Sequence, residues 1–207
     1  MGLLADALRL GTMSRFVRHR DDSFCSVETI MPLAQSVNSC NERLLQNEVN
    51  LLPYIVDKAY EKGMQIALNP SPFNEKLDDV DMKKISIFLL NEVEGFQLTG
   101  EKETDAIIAK LRSLFPHARI MLTLGKDGAV YVDEKQQVFQ PIFPVKAVDT
   151  TAAGDTFTGY FLAGLADGLP MEEVLRMSAK ASSIAVTREG AVPSIPYRAE
   201  VLESLQA

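Results

Sequence analysis

Apolar and polar residues follow two alternating periods along most of the chain. Apolar residues recur at helical spacing in four segments, residues 51–62, 104–115, 156–166 and 171–187. Short apolar runs that are typical of buried strands occur at residues 65–68, 85–90, 119–124 and 145–148. Strands that alternate with helices in this way predict an α/β domain of three layers with a mostly parallel sheet.

Two glycine-containing segments mark the ends of predicted elements. Gly63 stands where the helix over residues 51–62 would end, and glycine is the usual residue just after a helix. The segment Gly125-Lys126-Asp127-Gly128 separates the β-rich stretches 121–124 and 129–132, which predicts a hairpin turn.

The front of the chain lacks this regular pattern. Residues 11–41 mix a basic cluster, an acidic pair and scattered Ser, Asn and Cys residues without a sustained period of strand or helix. We therefore treat this segment as poorly specified.

The composition excludes several classes of protein. With 28 acidic against 21 basic residues the net charge is -7, which disfavours nucleic acid and anionic lipid as partners. The two cysteines, Cys25 and Cys40, exclude a disulfide scaffold and a Cys-rich zinc site. No run of about 18 apolar residues occurs, and no basic region precedes the first apolar stretch. We expect a cytoplasmic protein with neither a membrane span nor a signal peptide.

The segment Asp149–Phe157, of sequence DTTAAGDTF, lies between a predicted strand and a predicted helix. Small residues at positions 152–154 let a ligand approach the backbone, whose N–H groups open a helix that favours negative charge. This pattern predicts a phosphate site without lysine, in which the Asp155 carboxylate takes a proton from a hydroxyl that attacks the phosphate. The alternative is an ordinary junction with Asp149 or Asp155 as a helix cap.

Two further segments leave their roles open. Asn91 and Glu94 share one face of a predicted helix start and would reach a hydrated Mg²⁺, which takes one or two carboxylates with water and phosphate oxygens. An acidic first turn also stabilises a helix by itself. The segment Thr123–Gly128 would wrap a nucleotide phosphate or form only a β-turn, and it lacks the spacing of a Walker A loop.

Taken together and in order, six motifs resemble those of the ribokinase-like (PfkB) carbohydrate kinase family. They are LLQNE (44–48), LNPSP (68–72), LNEVE (90–94), TLGKDG (123–128), AVDTTAAGDTF (147–157) and AVTREGAVPSIP (185–196). The resemblance covers roughly residues 43–207. It implies a three-layer ribokinase-like (Rossmann-like) fold, and an ATP-dependent kinase that phosphorylates a primary hydroxyl of a pentose such as ribose.

The resemblance also implies roles for individual residues. Asp155 is similar to the family's catalytic base and sugar contact, and the N–H groups of Ala152, Ala153 and Gly154 are similar to its anion hole. Glu94 is similar to a residue near Mg²⁺, and Glu48 to a carboxylate that reaches the sugar. Positions similar to the family's nucleotide contacts are Asn91, Thr123, Leu124, Gly125, Lys126, Asp127, Gly128, Gly154 and Ala179. Ala179 offers the adenine contact but no side-chain hydrogen bond.

An activating monovalent cation, usually K⁺ in the family, is implied near the same motif. It would lie against Asp149, Thr151, Ala185, Arg188, Gly190 and Ser194, largely through main-chain oxygens. The implied cofactors are therefore ATP, magnesium and potassium. The implied partners are a small-molecule sugar and, as a candidate assembly, a second copy of the chain in a homodimer.

The resemblance does not extend to the front of the chain. Family members begin with further strands, a small β-lid, an early Asp and a Gly-Gly sugar motif, and none of these is visible before Leu44. We expect residues 1–42 to be a truncated or altered N terminus without the lid, and residues 43–207 to be the nucleotide-binding and catalytic C-terminal portion. Because sugar selection resides mainly in the absent part, a fructose kinase, a nucleoside kinase and a non-catalytic nucleotide-binding fragment stay as alternatives.

Overall fold

The computed structural model describes residues 42–46 and 51–206 of the chain. These residues divide into an N-terminal unit, residues 42–46, 51–123 and 132–136, and a C-terminal unit, residues 124–131 and 137–206. The expectation for residues 1–42 lies outside the described residues, except that residue 42 begins the first strand. Glu48 also lies outside them.

The N-terminal unit contains four strands and three helices. The strands are β1 (Glu42–Gln46), β2 (Gln65–Asn69), β3 (Ile87–Asn91) and β4 (Arg119–Thr123), and each pairs in parallel with the next. The helices are α1 (Leu52–Glu61), α2 (Glu92–Thr99) and α3 (Thr104–Leu114), with 3-10 turns at Glu75–Leu77 and Met82–Lys84.

The middle residues of β2, β3 and β4 are apolar and buried, as is usual in parallel sheets that are covered on both faces. Ile66, Phe88 and Ile120 are fully buried on β2, β3 and β4. The Phe88 ring lies 4.8 Å from the ring of Phe115, centroid to centroid, at the end of α3. The core therefore lies between the sheet and its helices.

The C-terminal unit contains two strands and three helices. They are β5 (Ala129–Val132), β6 (Gln137–Gln140), α4 (Ala153–Ala166), α5 (Met171–Ala185) and α6 (Arg198–Gln206), with 3-10 turns at Gly125–Asp127 and Val192–Ser194. α4 and α5 approach closely at Gly164, where an added Cβ would lie 2.9 Å from a methyl of Val174. Tyr160, Met177, Ala181 and Val201 join all three helices in a buried cluster.

The described residues confirm an α/β fold with a mostly parallel sheet. The prediction of a strand at residues 145–148 is wrong. Val145 and Val148 are 46% and 59% exposed, and the Val148 and Asp149 N–H groups both donate to one carbonyl, that of Val186, rather than to a strand. β6 was not predicted, because its sequence QVFQ is short and its Phe139 is 56% exposed.

The start of α4 and the turn before β5 both lie near predicted site residues, so their boundaries bear on the site. α4 begins at Ala153, three residues before the predicted Thr156, because the small residues of the motif already adopt the helical turn. The predicted turn at Gly125–Gly128 is present as a 3-10 turn closed by a 2.8 Å hydrogen bond from the Leu124 N–H to the Gly128 carbonyl.

The longest described helix, α5, has 15 residues. A helix needs about 20 residues to cross a bilayer. Within residues 42–46 and 51–206, no helix is long and apolar enough to do so.

Candidate active site

The first turn of α4 presents backbone N–H groups that its own residues leave largely unused. The residue before the helix is Ala152, whose methyl group cannot cap the helix with a hydrogen bond. The Ala153 N–H donates to the Thr150 carbonyl at 3.1 Å, whereas the N–H groups of Ala152 and Gly154 meet no acceptor among the described residues. Of the three N–H groups predicted to form the anion hole, one therefore donates to a carbonyl of the chain, and the other two have no acceptor among the described residues.

Space at this turn is open. An added Cβ on Gly154 would meet nothing within 4 Å, so the backbone there is approachable from outside. Asp155 follows directly and is exposed. The next side chain, Thr156, is 2% exposed, and its Oγ1 is buried without a hydrogen-bond partner among the described residues. A phosphate bound to the Gly154 N–H would lie beside the exposed Asp155.

Asp149 ties the loop before α4 to the segment after α5. Its Oδ1 accepts from the Thr151 N–H at 2.9 Å and from the Thr151 hydroxyl at 2.5 Å, and its Oδ2 accepts from the Gly190 N–H at 3.0 Å. These donors, the Thr151 hydroxyl first, hold the pKa of the Asp149 carboxyl below its usual value. The structure thus brings together three of the residues predicted to contact potassium.

The other three predicted cation contacts lie in the same unit. Ala185 is buried at the end of α5, and its carbonyl accepts from the Arg188 N–H at 3.1 Å. The Arg188 guanidinium pairs with Glu200. Ser194 is buried, and its hydroxyl donates to the Ala191 carbonyl at 2.7 Å. One carboxylate with several main-chain carbonyls is a donor set that fits a hard monovalent cation.

Asn91 and Glu94 close the start of α2 with their own side chains. The Asn91 Oδ1 accepts from the Glu94 N–H at 3.0 Å, and the Glu94 Oε2 accepts from the Asn91 N–H at 2.9 Å. Glu94 is only 5% exposed. This reciprocal capping box is the structural alternative that the sequence left open, and it leaves part of each side chain's acceptor capacity. Both residues lie in the N-terminal unit.

Magnesium is a cofactor that the resemblance implies. In the described part of the chain no group of three or more His, Cys, Asp or Glu residues is arranged to hold a metal ion. Mg²⁺ in phosphoryl-transfer sites is held by one or two carboxylates together with water and substrate phosphates, so it does not need such a group. The single buried carboxylate of Glu94 fits that kind of site.

The backbone of the predicted nucleotide loop requires glycine at its last position. Gly128 has φ +123°, and a Cβ there would lie 2.2 Å from the Gln140 carbonyl oxygen. Lys126 and Asp127 are exposed at the tip of the loop, and Leu124 is buried at its base. Thr123 lies in the other unit, at the end of β4, where its hydroxyl donates to the Leu90 carbonyl at 3.3 Å.

Ala179 lies half-buried on α5, in the same unit as Asp155. Its neighbour Lys180 places its Nζ 4.8 Å from the centroid of the Phe143 ring. Hence the residues predicted for the anion hole, the base, the cation and the adenine contact share the C-terminal unit. Asn91, Glu94 and Thr123 do not.

One contact at this site has no counterpart in the sequence analysis. The Ser182 hydroxyl of α5 donates to the Ala153 carbonyl at 3.0 Å. The two residues are 29 positions apart, and Ser182 stands in a run of small residues that predicts only a helix. No sequence signal pointed to it.

Comparisons with known proteins agree with the fold. The sequence model described as pfkB family carbohydrate kinase matches residues 49–198. A ribokinase from Schizosaccharomyces pombe is 32% identical over 182 residues, which cover 83% of this chain and 57% of that protein. A ribokinase from Haemophilus influenzae is 38% identical over 152 residues, which cover 72% of this chain and 49% of that protein.

A solved structure gives the same result. The structure of Arabidopsis thaliana ribokinase complexed with ribose and ATP matches with a TM-score of 0.70 and 29% identity, over 81% of this chain and 56% of that one. The chain thus spans about half the length of the relatives that it matches.

Proposed function

Since the chain belongs to the pfkB family of carbohydrate kinases, we propose that it transfers the γ-phosphoryl group of ATP to a primary hydroxyl of a pentose such as ribose. The relatives named above are ribokinases, and one of them is complexed with ribose and ATP. Phosphoryl transfer needs little covalent chemistry from a protein and depends on positioning and on charge stabilisation.

The observation that carries the proposal is the first turn of α4. The Gly154 N–H has no acceptor among the described residues, the space before it is open, and the exposed Asp155 carboxylate follows. Anions bind well at such a turn because the N–H groups and the helix dipole both favour negative charge. We assign the anion hole to Ala152, Ala153 and Gly154, with the Ala153 N–H released from Thr150 when a phosphoryl group binds.

The reaction then follows from these positions. The sugar oxygen forms a bond to the γ-phosphorus while the bond from that phosphorus to the β,γ-bridging oxygen breaks, and ADP leaves. Asp155 accepts the proton of the attacking hydroxyl. The first turn of α4 stabilises the charge on the transferred group.

The nucleotide and the sugar need further contacts. We assign the nucleotide to the loop Thr123–Gly128, to Asn91 and to Ala179, and the sugar to Asp155 and Glu48. The exposed residues Lys126 and Asp127 at the tip of the loop support this assignment, because they are open to a ligand. Ala179 would contact the adenine without a hydrogen bond to it.

Two cations complete the proposal. Glu94 would hold magnesium through its hydration shell, and magnesium bound with ATP supplies positive charge to the phosphate oxygens. Potassium would be held by Asp149, Thr151, Ala185, Arg188, Gly190 and Ser194. Asp149 is suited to this because it supplies a carboxylate that joins the Thr151 and Gly190 segments. A cytoplasmic location and a homodimer stay predictions from the sequence.

The experiment is a coupled assay of ADP release from the chain, run with ribose, deoxyribose, fructose and nucleosides, beside calorimetry of ATP binding. We expect saturable turnover with ribose that needs Mg²⁺ and is faster in K⁺ than in Na⁺. Turnover with fructose or a nucleoside but not with ribose would show that ribose is not the substrate. ATP binding without turnover of any substrate would contradict the proposed kinase activity and identify the chain as a nucleotide-binding fragment without catalysis.

A further inference from the structure

Three serines of α5 use their hydroxyls differently. Ser178 donates to the Val174 carbonyl and Ser183 to the Lys180 carbonyl, both at 2.7 Å and both within the helix. Such local bonds to the preceding turn are the usual choice of a serine inside a helix. Ser182 instead donates to the Ala153 carbonyl of α4 at 3.0 Å. Its hydroxyl therefore makes a tertiary contact.

The oxygen that Ser182 holds belongs to the peptide unit that carries the Gly154 N–H. A peptide unit is planar, and its C=O and N–H point in opposite directions, so fixing the oxygen also fixes the direction of the N–H. A carbonyl that accepts a hydrogen bond is also polarised, which strengthens the donor at the other end of the unit. Ser182 thus acts on the Gly154 N–H without touching a ligand.

The peptide unit belongs to the first turn of α4, so the helix already holds its carbonyl and the Ser182 hydroxyl adds a second hydrogen bond to it. Gly154 has no side chain, an added Cβ would meet nothing within 4 Å, and its N–H meets no acceptor among the described residues. Ala152 provides no side-chain cap. Because no side chain on the N–H side fixes the unit, the hydrogen bond from α5 is an additional restraint on the direction of the Gly154 N–H.

α5 holds the approach to α4 at a second point on the same face. Val186 follows Ser182 by four positions, so the two residues lie one helical turn apart. The Val186 carbonyl accepts from the Val148 N–H at 2.7 Å and from the Asp149 N–H at 3.2 Å. The segment is thereby held by α5 and the residue just after it, both before the anion hole and within it.

We propose that Ser182 is a positioning residue, which orients the Ala153–Gly154 peptide unit so that the Gly154 N–H meets the transferred phosphoryl group. This inference rests on the proposed function, because it gives the Gly154 N–H the same role. It adds a residue of α5 that no motif of the sequence indicated.

The kinetic test compares Ser182→Ala with Ser183→Ala, which removes a hydroxyl of the same helix that bonds only within it. We expect Ser182→Ala to lower kcat about tenfold and to change the KM values for ATP and sugar by less than about twofold, because the lost orientation matters most in the transition state. Ser183→Ala should keep kcat within about twofold, and Ser182→Thr should restore most of the activity, since it keeps the hydroxyl. Equal kcat values in Ser182→Ala and Ser183→Ala would overturn the inference and leave the proposed function intact.

A second measurement does not depend on turnover. In ¹⁵N-labelled protein the amide signal of Gly154 is followed during titration with MgADP plus aluminium fluoride, which mimics the transferred group. The signal should move in the parent and in Ser183→Ala, and move much less in Ser182→Ala. If the parent has no turnover, the proposed function fails, and this signal alone decides: a response reduced only in Ser182→Ala supports the positioning role, whereas no response in the parent, or an equal response in all three, overturns it. Thermal melts verify that each variant is folded.

Discussion

Two helices of the molecule begin in opposite ways. α2 begins at a capping box, in which Asn91 and Glu94 accept hydrogen bonds from each other's backbone N–H groups. α4 begins after Ala152, which caps nothing, and the Gly154 N–H in its first turn meets no acceptor among the described residues. The first N–H groups of both helices have no acceptor within the helix, but only in α2 do side chains of the helix start accept hydrogen bonds from such groups.

The difference separates a structural helix start from one that is available to a ligand. A side-chain cap contributes about 1 kcal/mol to stability, and α4 forgoes it. In exchange, its first turn keeps open space at Gly154 and an exposed carboxylate at Asp155. Substitutions at the start of α2 should therefore change stability, and those at the start of α4 should change activity.

The largest expected effect is that of Asp155→Asn. The amide cannot accept the proton of the attacking hydroxyl, so kcat should fall by about 10³-fold, whereas the Kd for ATP should stay within about twofold. The coupled assay and calorimetry measure the two quantities. Asp105→Asn, in the exposed first turn of α3, is the matched control and should leave both unchanged. Comparable kcat values in Asp155→Asn and the parent would remove Asp155 from the mechanism.

The second effect contrasts two glycines. Gly128→Ala places a side chain at φ +123° and 2.2 Å from the Gln140 carbonyl oxygen, so the free energy of unfolding should fall by about 3 kcal/mol or more. Gly154→Ala meets no atom within 4 Å and lies in a helix, so stability should stay the same or rise by up to about 1 kcal/mol. Its methyl group enters the space of the phosphoryl group, and kcat should fall about tenfold.

Urea unfolding and the coupled assay separate the two glycine variants. A Gly154→Ala protein with parental kcat would show that no ligand approaches the backbone at this position. A Gly128→Ala protein with parental stability would show that the loop relaxes away from Gln140.

The third effect concerns the closed helix start. Asn91→Ala removes the cap of α2 and should lower the free energy of unfolding by about 1 kcal/mol, whereas Asn91→Asp keeps an acceptor oxygen and should stay close to the parent. Urea unfolding measures both. Equal stability of the alanine variant and the parent would mean that the capping box does not hold this helix start, and would weaken the contrast with α4.

The smallest effect lies farther along α4, where the helix is anchored by its own unit. The Tyr160 hydroxyl donates to the Pro196 carbonyl at 2.8 Å, and burial, with the charge of Glu200, raises the pKa of Tyr160 to about 12. Tyr160→Phe should cost about 1 kcal/mol at neutral pH because the hydrogen bond is lost.

The pH dependence follows from the direction of that shift. Because the folded pKa lies above the unfolded value of 10.0, the contribution of Tyr160 to stability is complete below pH 10 and is lost as the pH rises to about 12. The difference in unfolding free energy between the parent and Tyr160→Phe should therefore shrink over this interval, as followed by urea unfolding at each pH. A constant difference would place the hydroxyl in a solvated environment.

The order and type of most described elements could be predicted from the amino-acid sequence. The apolar runs that predicted β2, β3 and β4 and the spacing that predicted α1, α3 and α5 are local properties of the chain, and burial follows from them. The strand prediction failed at residues 145–148, because the short segment Val-Lys-Ala-Val does not specify a partner strand. The motif around Asp155 was also found from the sequence, since its small residues are consecutive.

The contacts that hold this motif could not be predicted from the sequence, because they depend on how distant segments pack. Ser182 and Ala153 are 29 positions apart, and Asp149 and Gly190 are 41 apart, so their hydrogen bonds depend on how α4 and α5 pack. The structure also shows that the side chains of Asn91 and Glu94 accept hydrogen bonds from each other's backbone N–H groups. Their spacing in the sequence was compatible both with this capping box and with metal binding. Secondary structure follows the periodicity of neighbouring residues, whereas these hydrogen bonds join residues that only the packing of the chain brings together.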